Sequence, residues 1–405
     1  MLTKARAGAG SRRDVTTLLV LFVAIGSVLW TVAIAGFHVL PPTGDVKAPV
    51  GPETTPVVGA WLGFDSVWYL KIAEHGYTDA TIADFKRGEE SAVAFFPAYP
   101  IVVHIVAPIV AGSYPAAGLL TTTTLGFVFL LLLFKWLQRR FDRRTSLVAL
   151  LLVMLYPYAW FLYGTAYGDV LFLGATVAAF LLLEDDRYAL AAVAGAVATA
   201  ARPVGAAVVL GLLAVALERS NVLARVRIED RWRWHFDRSR LHPRLLLLLG
   251  SAAGLVAWSG YLWVRAGDPL AFLTVQSAPG WGQGAGLHTW LKIHYLHYVH
   301  HPNRYVVWLT AQALMTLGFL ALIPRVARKL GWGYALYCLA VIGIPLMGTG
   351  DFMGLGRYLL AAFPVFAVAG EALATRATLA KAVLASSAVA LVVLTAFYSR
   401  GSYLT

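Results

Sequence analysis

Apolar stretches of about 20 residues recur along the whole length of this 405-residue chain, and this pattern restricts the fold more than any other feature. A stretch of that length can span the hydrocarbon core of a bilayer as an α-helix. The composition agrees, because 59% of the residues are hydrophobic, 13% are charged and the mean hydropathy is +0.69. Soluble domains are about one quarter charged. The sequence therefore predicts an all-α, polytopic membrane protein and argues against a large soluble helical protein.

The formal net charge of +12 suggests nucleic-acid binding at first sight, but the distribution of the basic residues argues against it. They lie in short loops between apolar stretches, where they set membrane orientation and meet anionic headgroups. The single cysteine, Cys338, lies inside an apolar stretch and says nothing about the compartment. Residues 1–14 are basic and precede an apolar run longer than a signal-peptide core. We therefore expect a retained first span with a cytoplasmic N-terminus.

The apolar pattern predicts about eleven spans. They are residues 15–39, 116–135, 147–163, 170–184, 188–201, 203–217, 244–264, 305–324, 332–349, 358–373 and 378–398. This number requires a re-entrant or interfacial helix near residues 97–111, which Pro97, Pro100 and Pro108 interrupt. It also requires that the apolar stretch 188–217 breaks at Arg202-Pro203 and crosses twice.

The basic loops test this threading. Four of them, near residues 135–144, 219–244, 325–329 and 376–381, all become cytoplasmic with eleven spans, as the positive-inside rule demands. The long hydrophilic loops 41–93 and 267–304 then lie on the non-cytoplasmic face. We expect one domain over residues 1–405, with most of its functional site in these two outer loops.

Segment 61–77 brings aromatic and ionisable residues together directly after the first span. Ionisable groups beside a bilayer are costly and usually have a function. As a helix, the segment places Asp65, Trp68 and Tyr69 on one face. A lone carboxylate among aromatic rings suits a general base. The alternative is that Asp65 caps an interfacial helix that its Trp and Tyr residues anchor.

Three other positions carry ionisable side chains, two of them in this segment and one in an outer turn. Lys71 and His75 are candidates for holding a phosphate, and the alternative is a solvated helix end that Gly76 terminates. Asp169, in the sequence Tyr167-Gly168-Asp169, is a candidate site residue. Its alternative is an ordinary turn, because Gly and Asp are common turn residues.

Two arginines lie in apolar surroundings. Arg202 requires a partner there, and a phosphate matches a guanidinium through two parallel hydrogen bonds. The alternative is an internal ion pair with Asp169 or Asp351. Arg357, at the start of the tenth predicted span, is a second candidate phosphate ligand.

Neither a metal nor a cofactor is expected. His294, His297 and His300 share one helix face, but the nearby sequence has no Cys and few carboxylates, so an interfacial helix is the preferred interpretation. The chain has no ATP-binding Gly-rich loop and no dinucleotide-binding fingerprint. If the protein transfers a group, an activated membrane substrate must therefore supply the energy.

Five blocks of the sequence resemble PIG-V-type mannosyltransferases. Residues 65–77 are similar to the first-loop signature of that family, and Ala94-Phe95-Phe96-Pro97-Ala98-Tyr99-Pro100 to its second block. Weaker similarity continues in the same order at residues 201–205, 267–272 and 356–360. Related chains tend to carry Ser-Glu where this one has Gly168-Asp169, so the carboxylate is kept but shortened.

The resemblance implies a fold and a reaction. PIG-V-type enzymes belong to the GT-C superfamily, whose members take a sugar from a polyprenyl-phosphate donor, invert its anomeric centre and act on the non-cytoplasmic face. Asp65 matches the acidic residue of the first outer loop, the usual catalytic base. The substrate-binding candidates are then Trp68, Tyr69, Lys71, His75, Asp169, Arg202 and Arg357.

The expected function is therefore transfer of mannose from polyprenyl-phosphate mannose to a glycolipid or another membrane-associated acceptor, by a multi-pass enzyme of the cell membrane. The Ala/Arg-rich composition suggests a bacterial member of the family. Two alternatives stay open. One is a transporter or lipid flippase, and the other is a GT-C enzyme that uses another sugar such as arabinose or glucose.

Overall fold

The computed structural model describes residues 12–41, 55–228, 231–279, 281–284, 286–301 and 305–404, with the backbone alone at residues 56, 224–228 and 231–233. The basic N-terminal residues 1–11 and parts of both predicted outer loops, 42–54 and 302–304, lie outside the described residues. Within these ranges the chain is mostly helical, as the apolar pattern predicts.

The α-helices run as follows: α1 Arg12–Val39, α2 Pro56–Gly59, α3 Asp65–His75, α4 Asp79–Lys86, α5 Ala98–Val106, α6 Tyr114–Gln138, α7 Arg143–Met154, α8 Asp169–Glu184, α9 Tyr188–Ala201, α10 Ala206–Arg219, α11 Ala253–Ala266, α12 Ala271–Thr274, α13 Leu287–Trp290, α14 Ile293–His300, α15 Tyr305–Lys329, α16 Trp332–Gly348, α17 Leu355–Tyr358, α18 Phe363–Ala374 and α19 Ala377–Ser399. Short 3-10 segments are Ala92–Ala94, Ala107–Val110, Ala159–Leu162, Pro203–Gly205, Arg238–Arg240, Pro243–Ala252, Val275–Ser277 and Leu359–Ala361.

Among the described residues, five helical segments are long and apolar enough to cross a membrane: Arg12–Val39, Tyr114–Gln138, Pro243–Ala266, Tyr305–Lys329 and Ala377–Ser399. A sixth candidate is the pair Leu355–Ala361 and Phe363–Ala374, which is bent by 80°. These segments indicate a membrane protein. The prediction of eleven crossings is not confirmed, although each of the eleven predicted ranges overlaps a helix.

The difference in number comes from short helices. α7, α9, α10 and α18 have 12 to 14 residues, which is less than the length that a single straight crossing needs. α9 ends at Ala201 and α10 begins at Ala206, so the apolar stretch does break at Arg202-Pro203. Proline has no N–H to donate to the helix, and the residue before it avoids helical geometry. The segment near 97–111 is a short helix, α5, that continues into the 3-10 segment Ala107–Val110.

One element departs from the all-α prediction. The basic loop 219–244 contains two antiparallel strands, β1 Leu223–Ile228 and β2 Arg231–Phe236, with Arg225 opposite Trp234. Along both strands arginine alternates with apolar or aromatic residues, and this period-two pattern favours a strand. The sequence analysis treated these arginines only as topology signals and therefore missed the hairpin.

The helices pack around one large apolar core, and α8 lies between α6 and α9 while α10 packs on α16 and α1 on α19. A second, smaller core lies beside it. It joins the outer-loop residues Ile82, Phe96 and Phe272 to Trp258 and Leu262 of α11. The described parts of the two predicted outer loops therefore contact each other, which is consistent with a position on the same side.

The common side of these loops is open to direct measurement. In a Cys338→Ala background, Lys86→Cys and Ser277→Cys place thiols at exposed outer-loop positions. We expect an impermeant maleimide to label both in intact cells, because the basic loops fix the orientation. The control Arg144→Cys, exposed in a predicted cytoplasmic loop, should react only after permeabilisation. Labelling of Lys86→Cys or Ser277→Cys only after permeabilisation would contradict the threading.

Candidate active site

Four charged side chains that are distant in the sequence meet in one place, and we call them the charged cluster: Asp65, Asp169, Arg202 and Arg357. Arg357 Nη1 donates to Asp65 Oδ2 at 2.9 Å, and Arg357 Nε lies 3.7 Å from Asp169 Oδ1. Arg202 forms an ion pair with Asp169. With both carboxylates ionised, the charges of the cluster sum to zero.

These side chains lie at the first residue of a helix, at a break between two helices or in a short helix. Asp65 is the first residue of α3 and Asp169 the first of α8, where the positive end of the helix dipole favours a carboxylate. Arg202 lies at the break between α9 and α10, and Arg357 lies in the short helix α17. Of the two internal partners that the sequence left open for Arg202, the structure selects Asp169.

The capping alternative for Asp65 is not what the structure shows. Phe64 holds the N-cap position of α3, and no side-chain cap hydrogen bond forms there. The carboxylate of Asp65 instead accepts a hydrogen bond from Arg357. A backbone with φ of 53° at Phe64 makes the sharp turn into α3 that allows this.

Two tyrosines hold this turn. The backbone N–H of Asp65 donates to Tyr167 Oη at 3.2 Å, and the Tyr167 hydroxyl donates to the carbonyl of Gly63 at 3.3 Å. The hydroxyl of Tyr398, from α19, also donates to the carbonyl of Gly63, at 3.3 Å. Sequence analysis missed these roles, because a tyrosine in an apolar stretch looks like a core residue.

The exposure of the four side chains differs, and this separates their roles. The side chains of Arg202 and Asp169 are each 6% exposed and that of Arg357 is 8% exposed, whereas Asp65 is 24% exposed. Asp65 is thus the member of the cluster that a substrate reaches most easily. The two arginines and Asp169 lie deeper in the protein.

Each arginine also has an aromatic neighbour. Arg202 Nη2 donates to Tyr358 Oη at 2.8 Å, and the Arg357 guanidinium lies 5.2 Å from the ring centre of Tyr167. The buried Nε–H of Arg202 has no hydrogen-bond acceptor among the described residues, whereas that of Arg357 faces Asp169 Oδ1 at 3.7 Å. Buried donors are almost always satisfied, so the Arg202 Nε–H is available to a further acceptor.

Tyr69 is buried against the cluster, as its place on the Asp65 face of α3 predicts. A Cβ at Gly168 would lie 3.0 Å from Tyr69 Oη, so the glycine lets the tyrosine pack against the start of α8. Burial raises the pKa of the Tyr69 hydroxyl far above its ordinary value. The hydroxyl therefore stays protonated and can act as a donor.

Trp68 belongs to an aromatic group beside the cluster. Its ring stacks on Phe95 with centres 5.6 Å apart, and Trp281 lies edge-on at 6.1 Å from both rings. All three side chains are partly exposed. Phe95 lies in the second block of the resemblance, but no local pattern predicts that Trp281 packs against it.

Lys71 and His75 do not reach the charged cluster. Both are exposed, and His75 Nε2 lies 3.7 Å from Glu74 Oε2 with both side chains more than half exposed. Lys71 follows Asp65 by six residues, which places it well away from the Asp65 face of the helix. The arrangement corresponds to the solvated helix end that the sequence left as the alternative.

The structure also contains an apolar groove with a volume of about 660 Å³. It runs between α3, α5, α9 and α11, and its lining includes Ile72, Ile101, Ala200 and Trp258. Ile72 lies one helical turn after Tyr69, and Ala200 lies two residues before Arg202. The four residues of the charged cluster are not part of its lining.

Hydrogen bonds join the segment before Arg357 to the second outer loop, residues 267–304. Lys292 Nζ donates to the carbonyl of Thr349 at 2.7 Å, and the Gly350 N–H donates to Gln283 Oε1 at 2.6 Å. Burial lowers the pKa of Lys292 to about 8 and raises the pKa of Asp351 above its ordinary value. Asp351 lies in this segment and forms no ion pair with Arg202 among the described contacts.

No described group of three or more His, Cys, Asp or Glu side chains could hold a metal ion. His294, His297 and His300 fall on α14, where the ring centres of His288 and His294 are 6.2 Å apart and those of His297 and His301 are 4.9 Å apart. The absence of a metal therefore remains a sequence-based expectation.

Comparisons with known proteins give distant structural matches only. No family model matches the chain, and no curated protein matches it. The apo oligosaccharyltransferase of Archaeoglobus fulgidus is similar at 13% identity and a TM-score of 0.47, over 94% of this chain and 56% of that one. The archaeal oligosaccharyltransferase AglB of the same organism, in complex with an inhibitory peptide and a dolichol-phosphate, is similar at 13% identity and a TM-score of 0.44. The match covers 95% of this chain and 56% of that one.

This chain thus spans just over half the length of those structures.

Proposed function

We propose that residues 1–405 form a single membrane glycosyltransferase domain of the GT-C, PIG-V-like type. It transfers mannose from a polyprenyl-phosphate donor to a membrane-associated acceptor, with inversion, on the non-cytoplasmic face. Three features together support the proposal. They are a partly exposed carboxylate at Asp65, two buried arginines beside it, and an apolar groove whose lining begins one helical turn after Tyr69 and two residues before Arg202.

Asp65 acts as the general base. Its carboxylate is the most exposed of the charged cluster, so an acceptor hydroxyl can approach it. It takes the hydroxyl proton while the oxygen attacks the anomeric carbon from the face opposite the phosphate. A positioned base typically gives about 10²–10⁴-fold in rate. The Tyr167 hydroxyl supports this role by holding the backbone N–H of Asp65.

Arg202 and Arg357 bind the donor phosphate. Negative charge on the phosphate grows as the sugar leaves, and donors placed in advance in a water-poor site stabilise that charge most effectively. A guanidinium suits this task because its planar N–H groups match two phosphate oxygens at once. The Nε–H of Arg202, which has no acceptor among the described residues, favours such a ligand.

The apolar groove receives the polyprenyl chain. Its lining is mostly apolar, with Glu74, His75 and His104 as ionisable members, and Ile101 and Ile105 are more than half exposed. A lipid can therefore enter it from the membrane while its phosphate stays near Arg202. The aromatic group of Trp68, Phe95 and Trp281 then offers apolar faces to a sugar ring beside Asp65.

The proposal predicts a reaction that can be followed with purified protein. The chain, reconstituted in lipid, should convert radiolabelled polyprenyl-phosphate mannose into free polyprenyl phosphate and a mannosylated product, with a membrane lipid extract as acceptor. The arabinosyl and glucosyl donors, run in parallel, should react more slowly if mannose is the natural sugar. Full recovery of all three intact donors would contradict a transferase, and movement of intact donor across the bilayer would favour a flippase.

A further inference from the structure

We infer that Asp65 and the donor phosphate compete for Arg357, and that this arginine passes from the carboxylate to the phosphate as the sugar is transferred. The inference depends on the proposed function, because it names how the same site handles its phosphate. In the structure Arg357 is bound to Asp65 at 2.9 Å. The proposed base is thus hydrogen-bonded to the proposed phosphate ligand.

The backbones on both sides of this pair are fixed. The N–H of Gly356 donates to Gln312 Oε1 at 2.9 Å, and the same buried glutamine donates to the carbonyl of Leu404 at 3.2 Å. The turn before Asp65 is held by the hydroxyls of Tyr167 and Tyr398. An exchange of partners therefore requires only the guanidinium and the carboxylate to move.

The charge balance makes an exchange necessary. Two carboxylates and two arginines leave no net positive charge for an incoming phosphate. The phosphate therefore binds weakly while a carboxylate keeps its arginine and tightly once that arginine is released. Losing its arginine costs Asp65 less free energy than it would cost Asp169, because the Asp65 side chain is 24% exposed while that of Asp169 is 6% exposed. An exposed carboxylate recovers hydration when its partner leaves, whereas a buried one does not.

The transfer step then releases Arg357 without a change in total charge. The acceptor oxygen forms its bond to the anomeric carbon, and its proton moves to Asp65, which becomes neutral. The bond from the anomeric carbon to the phosphate oxygen breaks, and its electron pair stays on the phosphate, which becomes a dianion. Asp65 loses one negative charge as the phosphate gains one, so Arg357 follows the charge to the leaving group.

This exchange predicts that a variant without the Asp65 carboxylate binds a phosphate more tightly than the wild type does. The probe is farnesyl phosphate, a short polyprenyl phosphate, titrated calorimetrically against the full chain in detergent. Asp65→Asn removes the competing carboxylate, and we expect its Kd to fall by at least about fivefold, the lower end of typical coupling between two sites. Asp351→Asn is the matched control, a buried outer-segment carboxylate that pairs with neither arginine, and its Kd should stay within about twofold of wild type.

A double-mutant cycle separates competition from simple charge repulsion. In an Arg357→Gln background, which should bind the probe more weakly, Asp65→Asn should bring no further gain, because no arginine is left to release. A gain of undiminished size in that background would mean that Asp65 only repels the phosphate, and it would overturn the inference. Thermal unfolding verifies that the variants are folded, and if Arg357→Gln is not, the comparison of Asp65→Asn with Asp351→Asn decides.

The remaining outcomes separate the inference from the proposed function. If the wild type binds the probe and Asp65→Asn binds it equally or more weakly, the exchange is wrong and the proposed function stands. If neither the wild type nor Asp65→Asn binds it, both the exchange and a phosphate-linked donor are wrong.

Discussion

Asp65→Asn is expected to lower sugar transfer by about 100-fold or more while the protein stays folded. Asparagine keeps the size of the side chain and can still accept a hydrogen bond from Arg357, but it cannot accept the proton of an acceptor hydroxyl. Since Phe64 and not Asp65 holds the cap position of α3, the change removes no helix cap. The measurement is kcat/KM of the reconstituted protein, together with its unfolding temperature.

The control for this variant is Asp351→Asn. Asp351 is a buried carboxylate in the segment before Arg357, and its Oδ1 accepts the N–H of Met353 at 2.8 Å, a bond that asparagine can keep. Its activity should remain close to that of the wild type. Turnover of Asp65→Asn near the wild-type value, in a correctly inserted and monodisperse preparation, would remove Asp65 as the base.

The second large effect is expected for Arg357→Gln. This change deletes the guanidinium that contacts both carboxylates of the charged cluster, and with it a proposed ligand of the leaving phosphate. Loss of one such donor typically costs about 10²–10³-fold in turnover. Arg357→Lys should recover only part of this, because an ammonium keeps the charge but lacks the planar pair of donors.

Arg265→Gln is the matched control for the arginine. Arg265 also pairs with an aspartate, Asp79, but the side chains are 39% and 98% exposed, and surface pairs of this kind contribute little. Its transfer rate and unfolding temperature should hardly change. Equal activity of Arg357→Gln and Arg265→Gln would show that Arg357 is only a structural partner of Asp65.

Hydropathy alone was enough to predict that the chain is a helical membrane protein and where its helices lie, because every predicted span overlaps a helix. It was not enough for the number of crossings. Whether a helix of 12 to 14 residues such as α7 or α10 crosses depends on its neighbours and on the breaks around it, and neither can be read from local composition.

The charged cluster was predicted residue by residue but not as a set. Asp65, Asp169, Arg202 and Arg357 each stand out as ionisable groups in apolar surroundings, which is a local signal. That Arg357 bonds Asp65, 292 positions away, is a long-range fact that a single sequence does not contain. The pair of Arg202 with Asp169 was foreseen only as one of two alternatives.

Helix periodicity explains why two candidates fall outside the cluster. Lys71 and His75 share a motif with Asp65, and proximity in sequence made them attractive phosphate ligands. In α3 they are exposed, away from the face that carries Asp65 and Tyr69. Conversely, Gln312 and Tyr398 reach the site from distant helices and carry no local pattern that marks them.

The most direct test of the central claim is whether the purified chain breaks the bond between a sugar and a lipid phosphate through Asp65. Polyprenyl-phosphate mannose and a membrane lipid extract are incubated with reconstituted wild type and with Asp65→Asn, and the released polyprenyl phosphate and the mannosylated lipid are quantified from the same reaction. We expect both products in equal amounts from the wild type and about 100-fold less of each from Asp65→Asn. Recovery of only intact donor from the folded wild-type protein would contradict the account.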